Sequence, residues 1–143
     1  MTPQVRPALP GDHGLLDELR ATAVAAAAGQ RGGPELLASC TPPRWSDPGQ
    51  TVFVATLDGA VVGYLRLVVD GDVASVAEVF VIAEGRDLGC GDGLLGAAMD
   101  AARAQGARRL DALALPGDRA TKNLYERAGV VARAIILSTR LDG

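Results

Sequence analysis

The stretch Arg86-Asp87-Leu88-Gly89-Cys90-Gly91-Asp92-Gly93-Leu94-Leu95 decides how this chain is read. It lies between the apolar run Val79-Phe80-Val81-Ile82-Ala83 and a segment in which Leu94, Leu95, Ala98, Met99 and Ala102 recur at helical spacing. The order predicted is strand, glycine loop, helix. Gly89, Gly91 and Gly93 carry no Cβ, so backbone N–H groups there can close on a bulky anion. A helix starting at the loop adds its unpaired first-turn N–H groups and the positive end of its dipole. Arg86 adds a full positive charge. These features suit a ligand that bears phosphate.

Three phosphate-loop patterns compete for the residues. A Walker loop needs Gly-Lys-Ser/Thr at the helix start, and none is present. Gly91-Asp92-Gly93-Leu94-Leu95-Gly96 fits the dinucleotide pattern G-x-G-x-x-G, and Asp111 follows at a fitting distance. That motif should follow its strand directly, however, and Glu84 to Cys90 intervene. The third pattern is Arg-x-x-Gly-x-Gly, met by Arg86 to Gly91 and extended by Leu94-Leu95.

This third pattern resembles the acetyl-CoA pyrophosphate loop of the GNAT superfamily of N-acetyltransferases. A second stretch, Asn123-Leu124-Tyr125-Glu126-Arg127-Ala128-Gly129-Val130, is similar to that family's later signature, a helix carrying Leu/Phe-Tyr and closed by Gly-Phe. With the hairpins before the loop, the resemblance covers nearly the whole chain. It implies one domain over residues 1–143, with an α+β fold. In that fold a mixed, mostly antiparallel sheet lies between helices in three αβα layers. The implied activity is transfer of an acetyl group from acetyl-CoA to a primary amine, with no metal. The rival class is a degenerate domain of the same fold that only binds or senses acyl-CoA.

The resemblance also assigns roles. The acetyl and pantetheine arm would run along Phe80, Val81 and Ile82, with backbone N–H groups near Val81 polarising the carbonyl. The pyrophosphate would rest on Arg86, Asp87, Leu88, Gly89, Cys90, Gly91 and Asp92. Tyr125 would protonate the departing thiolate, and Thr121 and Asp118 share its helix face at i−4 and i−7, while Asn123 is expected to point elsewhere. Glu78 interrupts an apolar strand where many members carry a catalytic Glu. Burial is expected to raise its pKa toward the range of a working base, the alternative being an exposed Glu on an open face. The chain departs from the family pattern at several points. Asp87 and Asp92 place two carboxylates in a loop for a polyanion, Ala83 replaces a common Pro, and Val130 replaces the usual Phe. Cys90, at a usually aliphatic position, reads as a small buried hydrophobe.

Composition sets the outer bounds. The 143 residues are 48% hydrophobic but only 3% aromatic, so the core must be built from Val, Leu, Ile and Ala. A net charge of −3 argues against nucleic acid as a partner and permits a cationic amine. Cys40 and Cys90 give no disulfide framework, which fits a reducing cytoplasm. Ala23–Ala28 is too short for a membrane span. A homodimer is left open. His13 falls at a helix start, and no Cys/His/carboxylate spacing suits a metal.

Along the chain, Val5–Ala8 is expected as a strand. A helix follows to Ala28, with Leu15, Leu16, Leu19, Ala23 and Ala26 as its apolar stripe, then a brief helix over Glu35–Ser39. Arg44 and Trp45 sit in a proline-containing loop that the resemblance would set beside the acceptor site, the alternative being a surface loop with a half-buried Trp. Thr51–Leu57, Ala60–Val69 and Val73–Ala83 form three antiparallel strands joined at Asp58-Gly59 and Asp70-Gly71-Asp72. The glycine-loop helix runs to about Gln105. A strand over Leu110–Leu115 should lie parallel to Val73–Ala83. Asp118 caps a last helix to Ala128, and Val130–Leu141 closes the chain as a strand.

Overall fold

The computed structural model describes residues 2–142. Five strands form one sheet in chain order: β1 (Gln4–Pro7), β2 (Thr51–Leu57), β3 (Ala60–Asp70), β4 (Val73–Val81) and β5 (Arg109–Asp111). The first four are antiparallel neighbours, and β5 pairs with β4 in parallel. Among the described residues four α-helices accompany them: α1 (His13–Ala28), α2 (Gly33–Ala38), α3 (Cys90–Ala104) and α4 (Arg119–Arg127). The sheet is mixed and lies between helices, the α+β architecture expected.

Alternation along the strands divides the core in two. Ala55, Leu57, Leu65 and Leu67 face α3, where Leu94, Leu95, Ala98 and Ala102 present the apolar stripe read from the sequence. Val52, Val54 and Tyr64 face the other way and pack on Leu16 of α1. The stripe on α1 is narrower than expected: Leu16 is fully buried, but Leu15 is 46% exposed. Trp45 is half-buried and meets the ring of Tyr64 edge-on at 5.5 Å, while its Nε1 donates to Asp17.

Two irregularities in β4 open one side of the sheet. Arg66 pairs with Glu78 but the next residue, Leu67, pairs with Val76, so Ala77 is an extra residue in β4. Such a bulge bends its strand and sharpens the twist. The β4–β5 pairing ends at Ser75, just before the bulge. The strand expected over Leu110–Leu115 is therefore only Arg109–Asp111, and the chain beyond it diverges from β4.

The closing strand is a correction. Residues 130–142 form no strand, and Val131, Ile135, Ile136, Leu137 and Leu141 are 73–94% exposed. A β-branched run states only that a segment fits a pleated surface. It needs an edge to pair with, and β5 offers three residues. Arg133 ties the tail to that edge through Asp111 at 3.8 Å.

Candidate active site

Where β4 and β5 part, a cleft of about 750 Å³ opens between α1 and α2 on one side and α3 and α4 on the other. Residues 76–81 of β4 line one wall and Leu113, Ala114 and Leu115 the opposite one. Beyond Ser75 this side of β4 has no strand partner among the described residues. A guest that runs along it as a strand would meet backbone donors and acceptors free to receive it.

The glycine loop closes one end of the cleft. Gly89 has φ +88° and is the residue from which α3 starts, with no side chain capping the helix. The first-turn N–H groups thus have no side-chain partner and stand at the cleft mouth. The other glycines serve packing: a Cβ at Gly91 would sit 3.3 Å from Leu124 of α4, and one at Gly93 would sit 3.0 Å from Val5 of β1. They let α3 settle close to its neighbours, so only part of the glycine pattern concerns an anion.

Charge in the loop is uneven. Arg86 is exposed and donates from Nε to the carbonyl of Val81 at 3.3 Å, tying the loop to the end of β4. Asp87 is exposed, with φ +62°, and lines the cleft. Asp92 is held by Arg127 of α4 through Nε at 3.1 Å and NH2 at 3.4 Å. Its charge is thus met by a cation from another helix. Cys90 is fully buried, and burial pushes its thiol pKa up, as suits a small apolar residue rather than a reactive thiol.

Tyr125 is 6% exposed, packs with the α3-side core and lines the cleft. Burial, with a smaller contribution from Asp118, raises its pKa, so the phenol keeps its proton. Asp118 caps α4 as expected: Oδ1 accepts from Thr121 N at 3.1 Å and Oδ2 from Thr121 Oγ1 at 2.7 Å. Both carboxylate oxygens are engaged within the helix start. Asn123, expected to point elsewhere, lines the cleft. Gly129, φ +83°, ends the helix, and Val130 N returns to Tyr125 O at 2.9 Å.

Glu78 sits at the α1 side of the same gap, and its environment overturns the raised pKa expected. Burial alone would raise it. Against that, Tyr64 donates its hydroxyl to Oε2 at 2.6 Å, and Arg20 Nε and an Arg66 terminal nitrogen each donate to Oε1 at 2.9 Å. These hydrogen bonds, with the two positive charges, hold the carboxyl below the usual range. The bulge at Ala77 brings Glu78 opposite Arg66. Sequence reasoning misses Arg20, although a guanidinium one residue after Leu19 on the apolar side of α1 is a signal that could find it.

Of the remaining expected residues, Phe80 and Val81 line the cleft; Ile82 packs into the core and Leu88 is exposed outside the lining. Neither Arg44 nor Trp45 lines it, and Trp45 instead buttresses Tyr64. Among the described residues no cluster of His, Cys, Asp and Glu could hold a metal, and no helix is long and apolar enough to cross a membrane.

Comparison with known proteins gives the cleft a context. The structure of aminoglycoside N-acetyltransferase AAC(6')-Iy in complex with CoA superposes with a TM-score of 0.69 at 18% identity, covering 96% of this chain and 99% of that one. A Bacillus halodurans protein, BH1408, superposes at 0.79 with 12% identity, over 96% and 99% of the two chains. A protein from Agrobacterium tumefaciens assigned to the acetyltransferases superposes at 0.72 with 24% identity, over 96% and 99%. No curated protein sequence matches. At these identities the structures establish the fold alone. The family model for the acetyltransferase (GNAT) family matches residues 16–130, which takes in the glycine loop, the parted strands and Tyr125. The chain belongs to the acetyltransferase (GNAT) family.

Proposed function

We propose that this enzyme transfers an acetyl group from acetyl-CoA directly to a primary amine. The observation that carries the reading is the parting of β4 from β5 beside the uncapped start of α3. The residues fit the donor. First-turn N–H groups of α3, with Arg86, would hold the pyrophosphate, and the unpaired edge of β4 would hold the pantetheine amides. Backbone N–H groups near Val81 would polarise the acetyl carbonyl.

In the reaction the neutral amine's lone pair attacks the carbonyl carbon, a C–N bond forms and the C–S bond breaks. Tyr125 gives its proton to the sulfur and recovers one from solvent. The proton lost by the amine leaves to solvent. Glu78, ionised and hydrogen-bonded, is assigned to receive an acceptor N–H and orient the amine rather than to act as a base of raised pKa.

A melting-temperature titration tests the donor. Acetyl-CoA at about 100 times its dissociation constant should stabilise the fold by about 2.7 kcal/mol. No shift at millimolar acetyl-CoA would end the reading. The alternative, a domain that only holds acyl-CoA, predicts the shift without CoA release for any amine.

The exposed tail supports a homodimer as the working form. An exposed aliphatic segment of strand-like composition and a sheet edge ending at a three-residue β5 are complementary halves of one interface, and two copies would supply both to each other. The enzyme is assigned to the cytoplasm on its free thiols, Cys40 and Cys90.

A further inference from the structure

The half of the cleft formed by α1 and α2 is where an acceptor would enter, and it is mostly apolar. Ala23, Val24, Ala27, Leu36 and Leu37 line it. The charged groups lining this half are Arg20 and Glu78, with Arg66 bound to the same carboxylate. Two guanidiniums therefore face one carboxylate. Glu78 already accepts three hydrogen bonds, leaving about one of its four lone-pair sites. Gln30 also lines the cleft, and its Oε1 is buried without a hydrogen-bond partner among the described residues. A buried carbonyl oxygen in that state calls for a donor from water or from a bound molecule.

On the α1–α2 side no lining carboxylate besides Glu78 meets a polycation's further charges; Asp87, Asp92 and Asp118 line the cleft from the glycine loop, α3 and the start of α4. Each extra ammonium would be stripped of water against aliphatic side chains, beside a cluster whose net charge is positive. A molecule with one amine and an apolar body fits this half: an N–H for the last lone pair of Glu78, and hydrocarbon for α1 and α2. Resting on the reading of acetyl-CoA as donor, we propose that the acceptor is a monoamine of the alkyl or arylalkyl class. Arg20 is the residue that discriminates against polycations such as aminoglycosides and polyamines. The AAC(6')-Iy structure with a CoA-linked acetylneamine analogue thus shares this fold but not this acceptor chemistry.

Steady-state CoA release with 2-phenylethylamine, isopentylamine, spermidine and kanamycin tests the proposal, alongside an acetyl-CoA melting titration. The expected result is a kcat/KM for the two monoamines at least about tenfold above that for either polycation. Arg20→Gln should narrow the ratio by raising use of spermidine and kanamycin, while Arg20→Lys, which keeps the charge, preserves it. A polycation used best, or a ratio unmoved in Arg20→Gln, would overturn the proposal. So would acetyl-CoA binding with no amine of the panel acetylated, an outcome that leaves the donor reading intact. Absence of any melting shift with acetyl-CoA overturns both. The wild-type panel stands on its own should the Gln variant fail to fold.

Discussion

The hydroxyl of Tyr64 lies 2.6 Å from Oε2 of Glu78, and this contact changes the role the carboxylate can fill. With Arg20 and Arg66 on the other oxygen, the site stabilises the anion. Folding therefore lowers the pKa of Glu78. A group depressed in this way contributes stability that is fully present above its unfolded value, about 4.3 for Glu, and is lost as pH falls through the folded value. Melting temperature measured from pH 7 down to pH 3 should fall less steeply in Glu78→Gln than in the wild type. The Gln variant should also be less stable at pH 7, because two partly buried guanidiniums lose their counter-charge. Across neutral pH the rate should show no acidic limb that Glu78→Gln abolishes. Parallel melting curves for the two proteins would contradict the account.

Asp92 and Arg127 form an exposed ion pair at the cleft rim, with side chains 53% and 56% accessible. A pair of this kind contributes about 0–1 kcal/mol to stability. Asp92→Asn removes a negative charge beside the phosphate end and frees Arg127. Acetyl-CoA should bind several-fold tighter at low salt, with the gain fading above about 0.5 M salt as screening shortens to a few ångströms. Calorimetric titration at two salt concentrations checks it. Equal affinity in both proteins would place Asp92 outside the field of the phosphates.

The tail carries the third expectation. Ile135 and Leu137 stand two residues apart, 83% and 88% exposed, and would share one face of a strand. Light scattering should give a dimer for the wild type, and Ile135→Asp with Leu137→Asp should give a monomer that still melts cooperatively. A wild-type protein that is monomeric at high micromolar concentration would contradict it.

The sequence made much of this legible because local rules governed it. Asp58-Gly59 and Asp70-Gly71-Asp72 set both hairpins, Asp118 and Gly129 bound α4, and the stripe from Leu94 to Ala102 set the face of α3. What escaped was long-range. A regular hairpin through Gly71 would place Arg66 opposite Ala77, and only the bulge moves it opposite Glu78. The ion cluster then needs Arg20 from α1, whose place on the apolar side of that helix marks it for burial but does not name its partner. Hence the sequence leaves Glu78 open between a buried and an exposed reading, and the sign of its pKa shift depends on partners that it does not announce. The tail failed for a related reason: β-propensity at Val130–Leu141 says nothing about whether an edge exists to receive it.

Tyr125→Phe bears most directly on the account. The phenol is buried, lines the cleft and keeps its proton, so its assigned task arises only when a thiolate must leave. An interaction made only in the transition state lowers turnover and leaves ground-state binding alone. The Phe variant keeps the ring against the α3-side core and loses only the hydroxyl. With the best amine found, kcat should fall by about 10²–10⁴-fold while acetyl-CoA affinity changes little. Near-normal kcat with a lowered melting temperature would contradict the account and leave Tyr125 as a core residue.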